Sequence, residues 1–206
     1  MTKKMKQAVS LFCIALLITS LVGCGKNSDK ERAETYHLTE VKKLEVKTNA
    51  NDIILRTAEG NDLTITFLGG DGELASLNNG LLTIDLHKTF AGVTITKLET
   101  LYINIPKDGL SEVSIQSDAG NITIDGVNVT YLSVNTEVGD ITTTGLTGNI
   151  NAVSSVGSIE TDLPIAPEIM AGKDGLGNTL KGNLNEEDKK SFTAELYTNT
   201  GKITLK

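Results

Sequence analysis

Tryptophan is missing from this 206-residue chain, aromatic residues make up only 4%, and there are two cysteines, two histidines and three prolines. Each scarcity removes a class of protein. Cys13 falls in an apolar leader and Cys24 is the expected modification site, so no pair remains for a disulfide and the domain must be stabilised by packing. His37 and His87 have no cysteine beside them, so neither a zinc site nor any other metal or cofactor is expected. Gly69-Gly70-Asp71-Gly72-Glu73-Leu74 opens like a calcium-binding nonapeptide repeat, but Leu74 stands where that repeat needs an aspartate, and a turn is the better expectation. Basic residues are outnumbered, 19 against 26 acidic, and loss of Lys3, Lys4 and Lys6 with the leader takes the net charge from -7 to -10. Nucleic acid is not expected as a partner, because a phosphate backbone is held by clustered Lys and Arg.

What is present begins with an export signal. Three lysines in Met1–Gln7 precede the apolar stretch Ala8–Val22, the order of a secretory n-region and h-region. As a helix that stretch spans on the order of 22 Å, short of the ~30 Å hydrocarbon core. It ends in Leu21-Val22-Gly23-Cys24, which resembles the bacterial lipobox. Cleavage is expected between Gly23 and Cys24, with Cys24 carrying the lipid that holds the protein to the membrane. The domain organisation expected is therefore a signal peptide over 1–23, a polar tether over 24–39 and one folded domain over 40–206.

In that domain one pattern occurs five times: apolar, any, apolar, any, Ser or Thr, two variable residues, Gly or Asn, one variable residue, then apolar, any, apolar or small. The copies begin at Leu44, Val113, Leu132, Ile150 and Ala194. Alternation with period two predicts two short strands per copy, joined by a turn. The turn positions are Asn51, Gly120, Gly139, Gly157 and Gly201, where a backbone angle cheap only for Gly, or less so Asn, is expected. The hydroxyl column Thr48, Ser117, Thr136, Ser154 and Thr198 has the parity of the inward residues. It is expected to satisfy turn amides rather than to supply a nucleophile. One copy cannot bury enough to offset its chain entropy, so the copies must stack. The fold class expected is all-β, a parallel β-solenoid of coils about 18–19 residues long. Less regular strands fill the N-terminal part, where Leu63–Ile105 reads as irregular coils or hairpins. Asp162–Ser191, with Pro164, Pro167 and a charged run, reads as holding a surface loop.

The run Leu101–Asp162, with Ile105-Pro106 and its Ser/Thr-x-x-Gly coils, and the closing Tyr197–Leu205 resemble the bacterial β-strand-repeat family labelled "putative adhesin", a domain of unknown function. The resemblance covers roughly Leu44–Lys206 and implies the fold more than the activity. Some members are similar to envelope lipoproteins of the LiaG type, accessory to envelope-stress operons. The family supplies no catalytic residues to carry over.

The expected function is a membrane-anchored extracytoplasmic lipoprotein, a non-catalytic interaction or accessory protein of the envelope-stress response. Its partners would be membrane lipid through Cys24 and an envelope protein or cell-wall component. A surface adhesion or glycan-binding module is the alternative. An enzyme is not expected, since the polysaccharide lyases of similar architecture need clustered carboxylates with Arg or Lys and often aromatic platforms. The outward rows Ser114, Ser133, Asn151 and Thr123, Thr142, Glu160 read as flat, polar and without an aromatic anchor. Partner contact is accordingly expected on the irregular parts, Phe67–Phe90 or Pro164–Ser191.

Overall fold

The computed structural model describes residues 31–68, 73–86, 99–173, 176–184 and 192–206, in which strands β1 to β17 occur and no helix. The leader, Cys24, His87 and Gly69–Gly72 lie outside the described residues.

Each copy of the repeat forms a two-strand coil. The coils are β2 (Lys43–Ala50) with β3 (Ile53–Ala58), β8 (Leu110–Ala119) with β9 (Ile122–Asp125), β10 (Asn128–Val138) with β11 (Ile141–Thr144), β12 (Thr147–Val156) with β13 (Ile159–Thr161), and β16 (Phe192–Thr200) with β17 (Ile203–Leu205). First strands stack in parallel in a nine-stranded sheet, second strands in an eight-stranded one. The register puts equivalent residues side by side: Leu132 is level with Val113 and Ile150, and Ile141 with Ile122 and Ile159. The resulting columns Leu44-Val113-Leu132-Ile150-Ala194 and Ile53-Ile122-Ile141-Ile159 are at most 1% exposed. A one-residue slip would turn every one of these side chains to water, which is why the register is so firmly specified.

A sixth coil departs from chain order. β6 (Leu81–Asp85) pairs in parallel with β2, and β7 (Leu101–Pro106) in parallel with β3, on the sides away from β8 and β9. The first copy of the pattern is thus sandwiched by a segment that follows it in sequence. β4 (Asp62–Leu68) lies antiparallel to β7, and β5 (Ala75–Asn78) is the antiparallel edge beside β6. Asn79-Gly80 joins β5 to β6 with both backbones at positive φ, the turn geometry that Asn-Gly favours in two-residue hairpins. Leu63–Ile105 therefore contains both a coil and antiparallel strands, which apolar alternation alone could not separate.

Two expectations are corrected. Of the stretch 24–39 expected as a polar tether, Glu31–His37 is instead strand β1, paired along its whole length with β4. At a sheet edge only alternate side chains need cover, so a polar sequence can still form a strand: Arg32 lies over the Phe67 ring, 5.7 Å from its centroid, and Tyr36 packs against the core. Within Asp162–Ser191, β14 (Ile165–Lys173) and β15 (Leu176–Leu184) form an antiparallel hairpin, and β15 pairs with β16. Leu163, Ile165 and Leu180 are buried and close the core beyond the last coil. Pro167 is tolerated because β14 is the edge strand, with a register shift beside it. Residues 185–191 lie outside the described residues.

Candidate functional site

The turn positions line one edge of the solenoid. Gly120, Gly139, Gly157 and Gly201 have φ between 127° and 152°, and a Cβ on any of them would lie 1.9–2.2 Å from the carbonyl oxygen of the turn stacked beneath. Glycine is required there by contact as well as by backbone angle. Asn51, where a positive φ was expected, does not adopt one. It is the floor of the column: Gly120 rests on its carbonyl, and its Nδ2 donates to the Glu99 carbonyl at 3.0 Å.

The buried hydroxyls do not accept from turn amides as expected; they donate. Thr48 Oγ1 donates to Ser117 Oγ (3.1 Å), Ser117 to the Ala119 carbonyl (3.0 Å), Ser154 to the Gly139 carbonyl (2.8 Å) and Thr198 to the Gly157 carbonyl (2.6 Å). Thr136 Oγ1 is buried without a partner. The amides are served instead by the residue after each turn position. Asp52 Oδ1 accepts from the Asn121 amide (2.7 Å), Asn121 Oδ1 from Asp140 (3.0 Å), Asp140 Oδ1 from Ser158 (2.7 Å) and Ser158 Oγ from Lys202 (3.2 Å). This ladder was legible in sequence as a short acceptor after every turn residue except the last. Its polar groups are committed to the backbone, so this edge serves the fold.

Concave features are slight. One open depression is bounded by His37, Leu38, Thr39, Asn61 and Asp108, another by Lys43, Glu45, Leu81, Glu112 and Ser114. His37 Nδ1 lies 2.6 Å from Asp62 Oδ1 in an exposed pair. No three His, Cys, Asp or Glu side chains cluster as a metal site among the described residues.

The outer sheet faces remain. On the eight-stranded sheet Thr123, Thr142 and Glu160 stand level, and the row continues through Ile54 to Tyr102. Several polar groups of this face are paired, though no hydrogen bond engages the Thr123 and Thr142 hydroxyls among the described residues. Arg56 Nε donates to Asn104 Oδ1 (2.7 Å), Asn104 Nδ2 to Thr64 Oγ1 (2.8 Å) and Thr144 Oγ1 to Asp125 Oδ1 (2.9 Å), and Glu160 pairs with Lys206.

The nine-stranded sheet differs. Ser114, Ser133 and Asn151 stand level as one row, and Gln116, Asn135, Val153 and Tyr197 form the next. Tyr131 lies on the other side of the first row, level with Asn149. Tyr131 and Tyr197 are 41% and 39% exposed. The expectation of a face without an aromatic anchor is thereby corrected: two of the chain's four tyrosines flank the row of hydroxyl and amide groups. Periodicity placed Ser133 and Asn151 but did not reveal that residues 66 apart in sequence share one patch.

Residues 41–206 match the family model described as Toastrack DUF4097. The chain belongs to the Toastrack DUF4097 family. Strand β1 precedes the matched residues. Among solved structures, the chain is similar to a "putative cell adhesion protein" from Clostridium sporogenes ATCC 15579, at TM-score 0.60 and 14% identity, covering 85% of this chain and 98% of that one. That likeness shows a shared Toastrack fold. Weaker likenesses are to a "putative lipid binding protein" from Parabacteroides distasonis ATCC 8503 (TM-score 0.35, 13% identity, 64% of this chain and 65% of that one) and a "putative adhesin" from Bacteroides fragilis NCTC 9343 (0.26, 16%, 65% and 89%). No curated protein matches the chain.

Proposed function

We propose that this Toastrack protein is a lipid-anchored, non-catalytic binding module on the extracytoplasmic side of the membrane, held by Cys24 and meeting its partner with the outer face of the nine-stranded sheet. The carrying observation is that face: exposed Tyr131 and Tyr197 beside Ser133, Asn135 and Asn151, whose side chains have no hydrogen-bond partner among the described residues. Binding energy concentrates in residues such as Tyr, and a rigid scaffold lowers the entropic cost of presenting them. The opposite face presents Tyr102, which is less exposed, and no second tyrosine. The resemblance to accessory lipoproteins of envelope-stress operons favours an envelope partner of the same cell. Adhesion to another surface is the second reading, favoured by the same tyrosines.

The test is photocrosslinking in intact cells with the crosslinker at Ser133 on one face or Thr142 on the other. Adducts from Ser133 alone are expected, and equal labelling from both would sink the assignment of the face. In the same cells Cys24→Ala should leave the membrane fraction or remain uncleaved. Normal cleavage with unchanged membrane retention would refute the anchor. Cell aggregation that depends on Tyr131 and Tyr197, without adducts in dispersed cells, would select adhesion.

A further inference from the structure

We infer that the patch between Tyr131 and Tyr197 binds an uncharged, extended oligosaccharide; the inference rests on the face assigned above and names the chemistry of its ligand. Tyr131 on β10 is level with Asn149 on β12, which precedes Ile150, itself level with Ala194 on β16. Tyr197 is therefore two strands across and four residues along. With strands ~4.8 Å apart and ~3.3 Å per residue, the two Cα atoms are about 16 Å apart. Asn151 stands at the midpoint of that diagonal, on the strand between, two residues along. The line reads phenol ring, amide, phenol ring, with Ser133 and Asn135 alongside on β10.

Three properties of this line select the ligand. First, it is long and flat rather than concave, which suits several linked units lying along a sheet rather than one small molecule enclosed in a pocket. Second, Ser133, Asn135 and Asn151 are uncharged, and among the described residues no hydrogen bond occupies their side chains. Carboxylates border this line: Glu195, level with Asn151, is paired with Lys181 at 2.9 Å, Glu112, level with Tyr131, with Lys43 at 2.5 Å, and Glu137 is exposed two residues beyond Asn135. In a chain of net charge -7, a line whose central groups are uncharged, and whose bordering lysines are each held by a carboxylate, offers no hold for an anion and suits a neutral ligand. Third, tyrosine with asparagine and serine is the composition of adaptable polar recognition: rigid amphipathic rings, and groups that both donate and accept. A sugar chain offers the matching pattern, C–H faces that lie on rings and hydroxyls that exchange bonds with amides. A protein partner would favour an apolar centre with a desolvated pocket, and between these tyrosines the sole apolar side chain is the half-buried Val153.

The experiment uses the detergent-solubilised full chain on a panel of neutral linear oligosaccharides (cello-, chito-, malto- and xylo-oligomers), with polygalacturonate and heparin as anionic counterparts and isolated cell wall as the natural mixture. Binding to a neutral member is expected, weaker for its disaccharide than for longer oligomers. Tyr131→Ala and Tyr197→Ala should each weaken it about tenfold, the usual loss at a modest hot spot, and Asn151→Ala by less. All three variants should keep the wild-type urea midpoint. Tyr102→Ala, on the opposite face, should bind normally. The inference is overturned if no neutral glycan and no wall material is bound, if only anionic polymers bind, or if binding survives loss of both tyrosines. Failure on glycans with a protein still crosslinked through Ser133 removes the sugar and keeps the face; failure of both removes the face as well.

Discussion

Replacing Gly139 with alanine probes the solenoid at its tightest contact. The new Cβ would sit 2.1 Å from the Gly120 carbonyl oxygen and 2.7 Å from its carbon, both atoms of the backbone. Ordinary contact needs more than 3 Å, so the stacked turns must separate by about an ångström. Two hydrogen bonds span that junction: the Gly120 amide to the Val138 carbonyl at 2.9 Å, and the Asp140 amide to Asn121 Oδ1 at 3.0 Å. Losing them costs roughly 0.5–1.5 kcal/mol each, and holding alanine at this φ costs about 1–3 kcal/mol. The expected loss is about 2–6 kcal/mol, enough to threaten a domain whose whole stability is typically 5–15 kcal/mol. Gly177→Ala is the control, because its φ is also positive at 62° but nothing lies within 4 Å of the added methyl. Only the backbone term applies there, about 1 kcal/mol. Urea unfolding followed by far-UV circular dichroism, with tyrosine emission as a second probe in this tryptophan-free protein, measures both. Equal losses for the two variants would refute the stacked-carbonyl account and leave backbone angle as the whole explanation.

The hydroxyl column makes a paired prediction. Thr198→Val strands the Gly157 carbonyl that it bonds at 2.6 Å and should cost about 1–3 kcal/mol. Thr136→Val removes a buried hydroxyl with no partner and should leave the urea midpoint unchanged or raise it; a drop as large as that of Thr198→Val would refute the assignment. Ile141→Asp, at a site 0% exposed, should abolish cooperative unfolding, since an unpaired carboxylate would be buried, and a native-like unfolding transition would show that the column is not a packed core. At alkaline pH the latch formed by Glu34, which accepts from the Leu74 and Ala75 amides and from Tyr36 Oη, should loosen. Burial, and then the hydrogen bond and charge of Glu34, hold the Tyr36 phenol above its ordinary value of 10.0. The folded state thus keeps a proton that the unfolded chain releases, so this stabilisation is present below about pH 10 and declines as pH rises beyond it. Tyr36→Phe should flatten that decline in the denaturation midpoint, and an identical alkaline limb in the variant would remove Tyr36 as its cause.

Period-two alternation, repeated at about 18–19 residues, was sufficient to read a parallel all-β stack, its inward columns and the glycine turns at Gly120, Gly139, Gly157 and Gly201, because each depends on neighbours within one copy or on identical copies meeting in register. The positions of β1, β6 and β7 were not readable in the same way. β1 is polar and gains its stability from pairing with β4, and β6 and β7 enter the stack ahead of a coil that precedes them in sequence. Local pattern carries no record of which distant strand will satisfy an open edge. The tyrosine patch has the same origin. Tyr131 and Tyr197 lie in different copies, at different positions of the repeat, so no alignment of copies brings them together. Their meeting on one face follows from β12 lying between β10 and β16, an order set by which open edge each strand finds to satisfy its backbone hydrogen bonds.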